Sequence, residues 1–147
     1  MILTIPIELY EEEYVIFMDK KNNIVLNDGY FTKIYYSNNS ITLNGLYILF
    51  NYLNTIENNN IYDNNVKYIN NLINSIQNSN TYNRLHNIEK NMLNNYNEYF
   101  QLNKKPIYTI KNIFYKNNYK KIKYIIKISG IWENNDEIGL AYKIEKI

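Results

Sequence analysis

Four lysines in the C-terminal part of the chain have the type and spacing expected of a binding surface. Lys121, Lys123 and Lys127 alternate with apolar residues, and Lys143 lies in a second alternating stretch. Alternate residues of a β-strand point to the same face, so we expect the four ammonium groups on one side of a hairpin. Proteins that bind single-stranded nucleic acid combine such a basic face with aromatic rings, because lysines follow the phosphates and bases stack on the rings.

The aromatic residues that we expect to supply this stacking are Trp132, Tyr35 and Tyr36. Gly139 and Ala141 fall on the predicted lysine face, where their small size would let a flat base approach closely. Two observations favour a structural explanation instead. Lysines that alternate with isoleucine also protect a sheet edge against aggregation, and the acidic stretch 133–137 would repel a phosphate nearby.

Residues for catalysis are scarce. His86 is the only histidine, and its neighbour Glu89 on a predicted helix gives two metal ligands at most, short of a metal site. The run Glu11-Glu12-Glu13 alternates faces if extended, which is typical of a solvated edge. The chain has no cysteine, and its four glycines form no phosphate-binding loop. We therefore predict a protein that is not an enzyme and that binds no metal or cofactor.

The composition is typical of one soluble domain over residues 1–147. The 30 asparagines, together with many isoleucines, lysines and tyrosines, are what AT-rich codons produce. No signal peptide or run of ~20 apolar residues is found, so we expect an intracellular protein without a membrane partner. Charge is uneven, because residues 1–103 carry a net −4 and residues 104–147 a net +6.

The most regular pattern lies in residues 120–147, which predict two strands joined by a polar turn at 133–137. On the first strand Trp132 has the same parity as the apolar residues, so the pattern places it on the apolar face. The residues predicted to form that face are Ile122, Tyr124, Ile126, Ile128, Ile138, Leu140, Tyr142 and Ile144.

Earlier parts of the chain predict short strands and two helices. We expect strands at 2–10, 14–18, 24–26 and 30–36, and a buried strand or short helix within 41–53. Apolar spacings of three and four predict one helix from Tyr62 to Ile76 and another from Leu85 to Tyr99. Asparagine-rich breaks at 57–60 and 77–80 bracket the first, and Asn80 or Thr81 would cap the second. Residues 107–115 form a strand or a short helix.

This order of elements predicts an α+β domain. It is either an antiparallel β-sheet or an OB-like barrel, with a two-helix insertion and a C-terminal β-hairpin.

Four segments of the chain resemble small proteins of nucleocytoplasmic large DNA viruses, of the giant-virus or insect-poxvirus type. They are Phe31–Ser37, Thr42–Tyr47, Lys127–Glu133 and Glu137–Lys143. The resemblance implies a viral origin, and hence the viral factory in the host cytoplasm or the virion as location. It implies no established activity, so no site residue is carried over from it.

The sequence thus predicts a non-enzymatic protein that binds single-stranded nucleic acid through its C-terminal hairpin. The alternative is a virion structural or assembly protein that contacts itself or other viral proteins through tyrosine-rich strands. The residues predicted to contact nucleic acid are Lys121, Lys123, Lys127, Lys143, Trp132, Tyr35 and Tyr36.

Overall fold

The computed structural model describes residues 3–23, 29–51, 64–112 and 123–147, which form nine strands and one α-helix. The strands are β1 (Ile5–Pro6), β2 (Val15–Phe17), β3 (Lys21–Asn22), β4 (Tyr30–Ser37), β5 (Thr42–Asn44), β6 (Leu46–Asn51), β7 (Lys105–Ile107), β8 (Lys123–Glu133) and β9 (Glu137–Lys146), and the helix is α1 (Asn64–Tyr99). Short 3-10 turns occupy Ile7–Leu9, Glu12–Tyr14 and Ile110–Asn112.

Strand β8 is the centre of the sheet. Along one edge it pairs antiparallel with β6 over Lys123–Ile128 and then with β4 over Gly130–Glu133. Along the other edge it pairs with β9, so the predicted C-terminal hairpin is confirmed. Its many isoleucine and aromatic residues explain this position, since β-branched and aromatic side chains pack well in a strand that has neighbours on both sides.

A bend at Gly45 lets two consecutive strands, β5 and β6, pair with different neighbours. β5 pairs with β4, whereas β6, directly after it, pairs with β8. Gly45 stands between them with φ +90°, a left-handed conformation that residues with a Cβ atom rarely adopt. Its N–H donates to the Ile34 carbonyl at 3.0 Å, which holds the bend against β4.

The predicted pair of helices is wrong, because α1 continues from Asn64 to Tyr99 without interruption. Asparagine lowers helix propensity, but it does not remove a backbone donor as proline does, and this segment has no glycine or proline. After the last helical residue, Tyr99, the chain turns at Gln101, which has φ 53°, and Leu102 N–H donates to the Asn97 carbonyl at 2.7 Å. This is the hydrogen-bond pattern of a Schellman cap.

The hydrophobic core lies between α1 and one face of the sheet, which we call the inner face. The second predicted apolar stripe supplies the helix side, except that Tyr99 at its end is 64% exposed. The largest fully buried side chains of the core are Tyr96, Tyr124, Ile34, Leu46, Ile48, Leu85, Met92, Leu93, Ile110, Ile126, Ile128 and Ile131.

The α+β prediction is confirmed, but the sheet is open, with the order β1-β6-β8-β4-β2 in its described part, and does not form the predicted OB-like barrel. Residues 46–50 form a strand, which decides between the two alternatives given for them. Within 107–115 the described part ends β7 and forms one 3-10 turn. The strand predicted at 24–26 lies outside the described residues, as do Ile122 and the 113–115 end of that segment.

Candidate nucleic-acid interface

A β-bulge in β8 decides which side chains share a face. Ile128 is paired with Tyr142 and Gly130 with Ala141, so Ser129 is the extra residue. Before the bulge the even-numbered residues of β8 are buried, and after it Ile131 and Glu133 are. The parity therefore inverts, as a bulge requires. The prediction that Trp132 lies on the apolar face is wrong, and Trp132 shares a face with the lysines.

We call the side of the sheet opposite α1 the outer face. Its members alternate along each strand with the buried residues of the core, and its lysines and aromatic residues are half-buried or exposed. The lysines and aromatic residues that the register places on the outer face are Lys21, Phe31, Lys33, Tyr35, Tyr47, Lys123, Lys127, Trp132 and Lys143.

One row of this face runs across three neighbouring strands. Tyr47 on β6 is paired with Lys127 on β8, and Lys127 is paired with Lys143 on β9. The Lys127 Nζ lies 5.3 Å from the centroid of the Tyr47 ring, in cation–π distance. Two ammonium groups directly opposite each other destabilise a strand pair unless an anion lies between them. The register thus places two lysines and one ring at neighbouring positions of the outer face.

A second row lies nearer the turn and carries the aromatic residues. Phe31 on β4 is paired with Trp132 on β8, and Trp132 with Gly139 on β9. The indole of Trp132 lies over Gly139, because a Cβ atom there would be 2.7 Å from its Nε1. Lys21, which is paired with Phe31, ends the row with a cation. Gly139 is therefore covered by an indole, and a base would stack on that ring instead of approaching the glycine.

The structure brings together four of the seven predicted contact residues. Lys123, Lys127, Lys143 and Trp132 lie on β8 and β9 of the outer face. Tyr35 shares the face but is paired with Asn44 and Ile16, away from β8.

The two remaining predicted contact residues are Tyr36 and Lys121. Tyr36 must be removed from the set, because it is 2% exposed, packs on Tyr10 and Tyr14, and accepts a hydrogen bond from Glu11 N–H at 3.0 Å. Lys121 lies outside the described residues.

Sequence reasoning missed Lys21, Phe31 and Lys33 as members of this face. The signal for the last two was present, since Phe31, Lys33 and Tyr35 alternate along β4 with buried Thr32, Ile34 and Tyr36. No signal marked Lys21, which reaches the row only because β3 pairs with β4.

One carboxylate of the acidic stretch 133–137 is withdrawn from the outer face, because Glu133 points to the inner face. Its side chain is 2% exposed, and Oε1 accepts hydrogen bonds from Tyr96 Oη at 2.6 Å and Lys20 Nζ at 2.8 Å. Lys104 Nζ lies 3.4 Å from Oε2. Burial, followed by the hydrogen bond to Glu133, raises the pKa of Tyr96, which therefore stays a proton donor. The carboxylates left on the outer face are those of Glu137 and Glu145.

His86 and Glu89, the two candidate metal ligands of the sequence, have structural contacts in the fold. Glu89 is buried, and its carboxylate accepts the backbone N–H groups of Thr109 and Ile110 at the start of the last 3-10 turn. The His86 ring stacks on Tyr82 and meets Tyr108 edge-on. Glu89 thus acts as a cap for a neighbouring turn.

Within the described residues no three His, Cys, Asp or Glu side chains are grouped as metal ligands would be, and none of their helices has the length and apolar character of a membrane span. The geometry defines an α+β sheet protein with a lysine- and aromatic-bearing outer face. Searches of protein-family models, curated proteins and solved structures found no match to this chain.

Proposed function

We propose that this protein is not an enzyme and that it binds single-stranded nucleic acid on the outer face of its sheet. The observation that carries the proposal is the row Tyr47–Lys127–Lys143, in which two lysines stand opposite each other beside a ring. A phosphate between the two ammonium groups removes their repulsion, and the adjacent ring supplies a surface for a base.

The second row supports the same function, because its aromatic rings provide a stacking surface for bases at some distance from the two lysines of the first row. Lys127 and Trp132 are opposite Lys143 and Gly139, which are four positions apart on β9, so the two rows are separated by roughly 13 Å of strand. A single strand that lies along β8 therefore meets lysines first and the Trp132 indole next. Bases stack on rings whatever their identity, so little sequence preference is expected. From the resemblance described above we propose a large DNA virus, in the host cytoplasm or the virion, as its setting.

The test is a titration of labelled oligo-dT with the wild type and with the variant Lys123→Glu/Lys127→Glu, followed by fluorescence anisotropy. At 50 mM salt we expect the variant to bind more than about tenfold more weakly, since two phosphate contacts become repulsive. The slope of log K against log salt should fall by about 1.4, because each single-strand phosphate contact contributes about 0.7. In the wild type, binding should quench Trp132 emission, and added salt should reverse the quenching.

A matched control is Arg84→Glu/Lys90→Glu on α1. Both residues are exposed, lie on the helix that packs on the inner face, and give the same change in net charge. This control should keep wild-type affinity, and circular dichroism should show both variants folded. Equal affinity of the two double variants would refute the outer-face site. If the wild-type protein does not bind oligo-dT and forms an oligomer that persists at high salt, the structural or assembly role is favoured instead.

A further inference from the structure

A groove at the β2 edge of the sheet carries the opposite charge. It lies between β2 and α1, has a volume of about 480 Å³ and is lined by Val15, Phe17, Met92 and Tyr99 together with carboxylates. A second depression of about 520 Å³ shares Tyr10, Glu12 and Glu13 with it and extends towards Ile88. We call the two together the acidic groove. Its floor is apolar, and its rim carries Glu11, Glu12, Glu13 and Glu98.

The groove runs along the free edge of β2. Within the described sheet β2 is the last strand of the order and pairs with β4 alone. Val15 and Phe17 point to the inner face and Ile16 to the outer face, yet all three line the same groove. A cavity touches both sets of residues only where it follows the strand edge.

The backbone of β2 is oriented for a further strand. Met18 N–H donates to the Lys33 carbonyl at 2.9 Å, so Met18 and Ile16 direct their polar groups to β4. In an antiparallel ladder the alternate residues direct theirs to the opposite side. Val15 N–H already donates to the Glu12 carbonyl. The Val15 carbonyl and both polar groups of Phe17 are therefore the ones that face the groove side.

The charges of the groove indicate what the added strand carries. Among the described residues the ion pairs are those of Glu133 with Lys20 and Lys104. No lysine or arginine of this part of the chain forms an ion pair with Glu11, Glu13 or Glu98. Burial, and next the Glu12 carboxylate, raise the pKa of Tyr10 at the groove wall, so that this phenol stays neutral. Side chains at the lip are apolar and open to solvent, with Ile16 46% and Tyr99 64% exposed.

We propose that the acidic groove binds an extended peptide segment of a partner protein in which lysine or arginine alternates with aliphatic residues. The segment pairs with the edge of β2 and places its aliphatic side chains beside Ile16, on the outer-face side of the edge. Its basic side chains point to the α1 side, where their alkyl stems lie on Phe17 and Met92 and their charged ends meet Glu13 and Glu98. Strand addition of this kind takes its affinity from backbone hydrogen bonds and its selectivity from alternate side chains. A solvated acidic edge would need the carboxylates alone and no apolar floor beneath them.

The test uses fluorescein-labelled eight-residue peptides and the full-length protein. One peptide alternates lysine with valine, and its control has the same composition in two blocks, four lysines followed by four valines. Anisotropy should show saturable binding of the alternating peptide, at least tenfold tighter than that of the block peptide. N-methylation of every second residue should abolish binding in one register and leave it intact in the other, because only one set of amides faces β2.

Matched variants locate the site. Glu13→Lys/Glu98→Lys should weaken binding of the alternating peptide at least tenfold, whereas Asp136→Lys/Glu145→Lys, with the same charge change at exposed positions, should leave it unchanged. The outer-face variant Lys123→Glu/Lys127→Glu should also bind the peptide normally, which separates this site from the nucleic-acid interface.

Three results would overturn the proposal. Equal binding of the alternating and block peptides would show charge attraction without strand pairing. Displacement of the peptide by spermine at an equal concentration would show a polyamine site. A wild type that oligomerises in sedimentation velocity, and becomes monomeric in Glu13→Lys/Glu98→Lys, would show that a second copy of this chain occupies the groove.

Discussion

Replacing Glu133, the last residue of β8, with glutamine keeps the shape of the side chain and removes its negative charge. The carboxylate accepts hydrogen bonds from Tyr96 at 2.6 Å and from Lys20 at 2.8 Å, and Lys104 lies 3.4 Å away. Glutamine has one acceptor oxygen, and its amide group donates, so one of these three donors meets another donor. We expect Glu133→Gln to fold into the same structure with a lower free energy of unfolding.

The size of the loss follows from the exposure of the partners. Removing one member of a fully buried ion pair costs about 3–5 kcal/mol. Lys20 and Lys104 are 22% and 20% exposed, so water still solvates them in part when the carboxylate is gone. The expected loss is therefore smaller, about 2 kcal/mol, of which the charged hydrogen bond from Tyr96 accounts for a large share. For a protein of this size that corresponds to a melting temperature lower by about 4–8 °C.

The pH dependence of this difference gives the sharper test. Burial by itself would raise the pKa of the Glu133 carboxyl, but hydrogen bonds from Lys20 and Tyr96 outweigh it and hold the pKa below the usual 4.5. A carboxyl whose pKa is lower in the folded protein stabilises it fully above the unfolded value, and this contribution disappears as pH falls through the folded pKa. The wild type should exceed Glu133→Gln in stability at pH 7, and the difference should shrink below pH 4.5.

Urea unfolding at pH 7, 5 and 3.5, followed by circular dichroism, measures this difference. The control is Glu145→Gln, the same chemical change at an exposed position of β9, which should alter stability by less than about 0.5 kcal/mol. A stability difference for Glu133→Gln that stays constant from pH 7 to 3.5 would show that the ionised carboxylate does not hold this cluster together.

Two further substitutions test the bulge and the helix. Gly139→Ala places a methyl group against the Trp132 indole, so the ring must leave its position; we expect red-shifted emission and stronger acrylamide quenching, and an unchanged spectrum would contradict the placement of Trp132 on the outer face. Asn80→Ala, at an exposed position inside α1, should raise the free energy of unfolding by roughly 0.5 kcal/mol, since alanine is the better helix former. If Asn80 were instead an N-cap, the same change would lower the free energy by about 1 kcal/mol, so thermal unfolding distinguishes the two by sign.

The sequence was sufficient for the strand pattern on either side of the bulge. Residues that alternate in type also alternate in burial, from Lys123 to Ile128 and again from Tyr142 to Glu145. The pattern failed at Ser129, where one inserted residue exchanges the two faces. A glycine within a strand often marks such an irregularity, and Gly130 stands directly after Ser129, but the apolar residues on both sides read as one continuous alternation.

Long-range contacts account for the other differences. Glu133 appears in a polar turn in the sequence, and only the folded chain brings Lys20, Tyr96 and Lys104 to it. The asparagine-rich stretch at 77–80 predicted a helix end, yet α1 passes through it, since packing of the following turns against the sheet compensates for low local propensity. The repeat patterns of strands and helices can be recognised within a short stretch of sequence. The contacts of Glu133 and the continuity of α1 depend instead on residues that are far apart in the sequence.

The positions of the charged residues in the fold follow the net charges of residues 1–103 and 104–147 only in part. Lys21 and Lys33 belong to the net acidic part of the sequence, yet they lie on the outer face with Lys127 and Lys143. The carboxylates of residues 11–13 collect at the edge of β2, beside α1 and away from the lysine rows. The two ligands that we propose, a phosphate-bearing strand and a basic peptide, would therefore bind at separate places, one on the outer face and the other along the edge of β2.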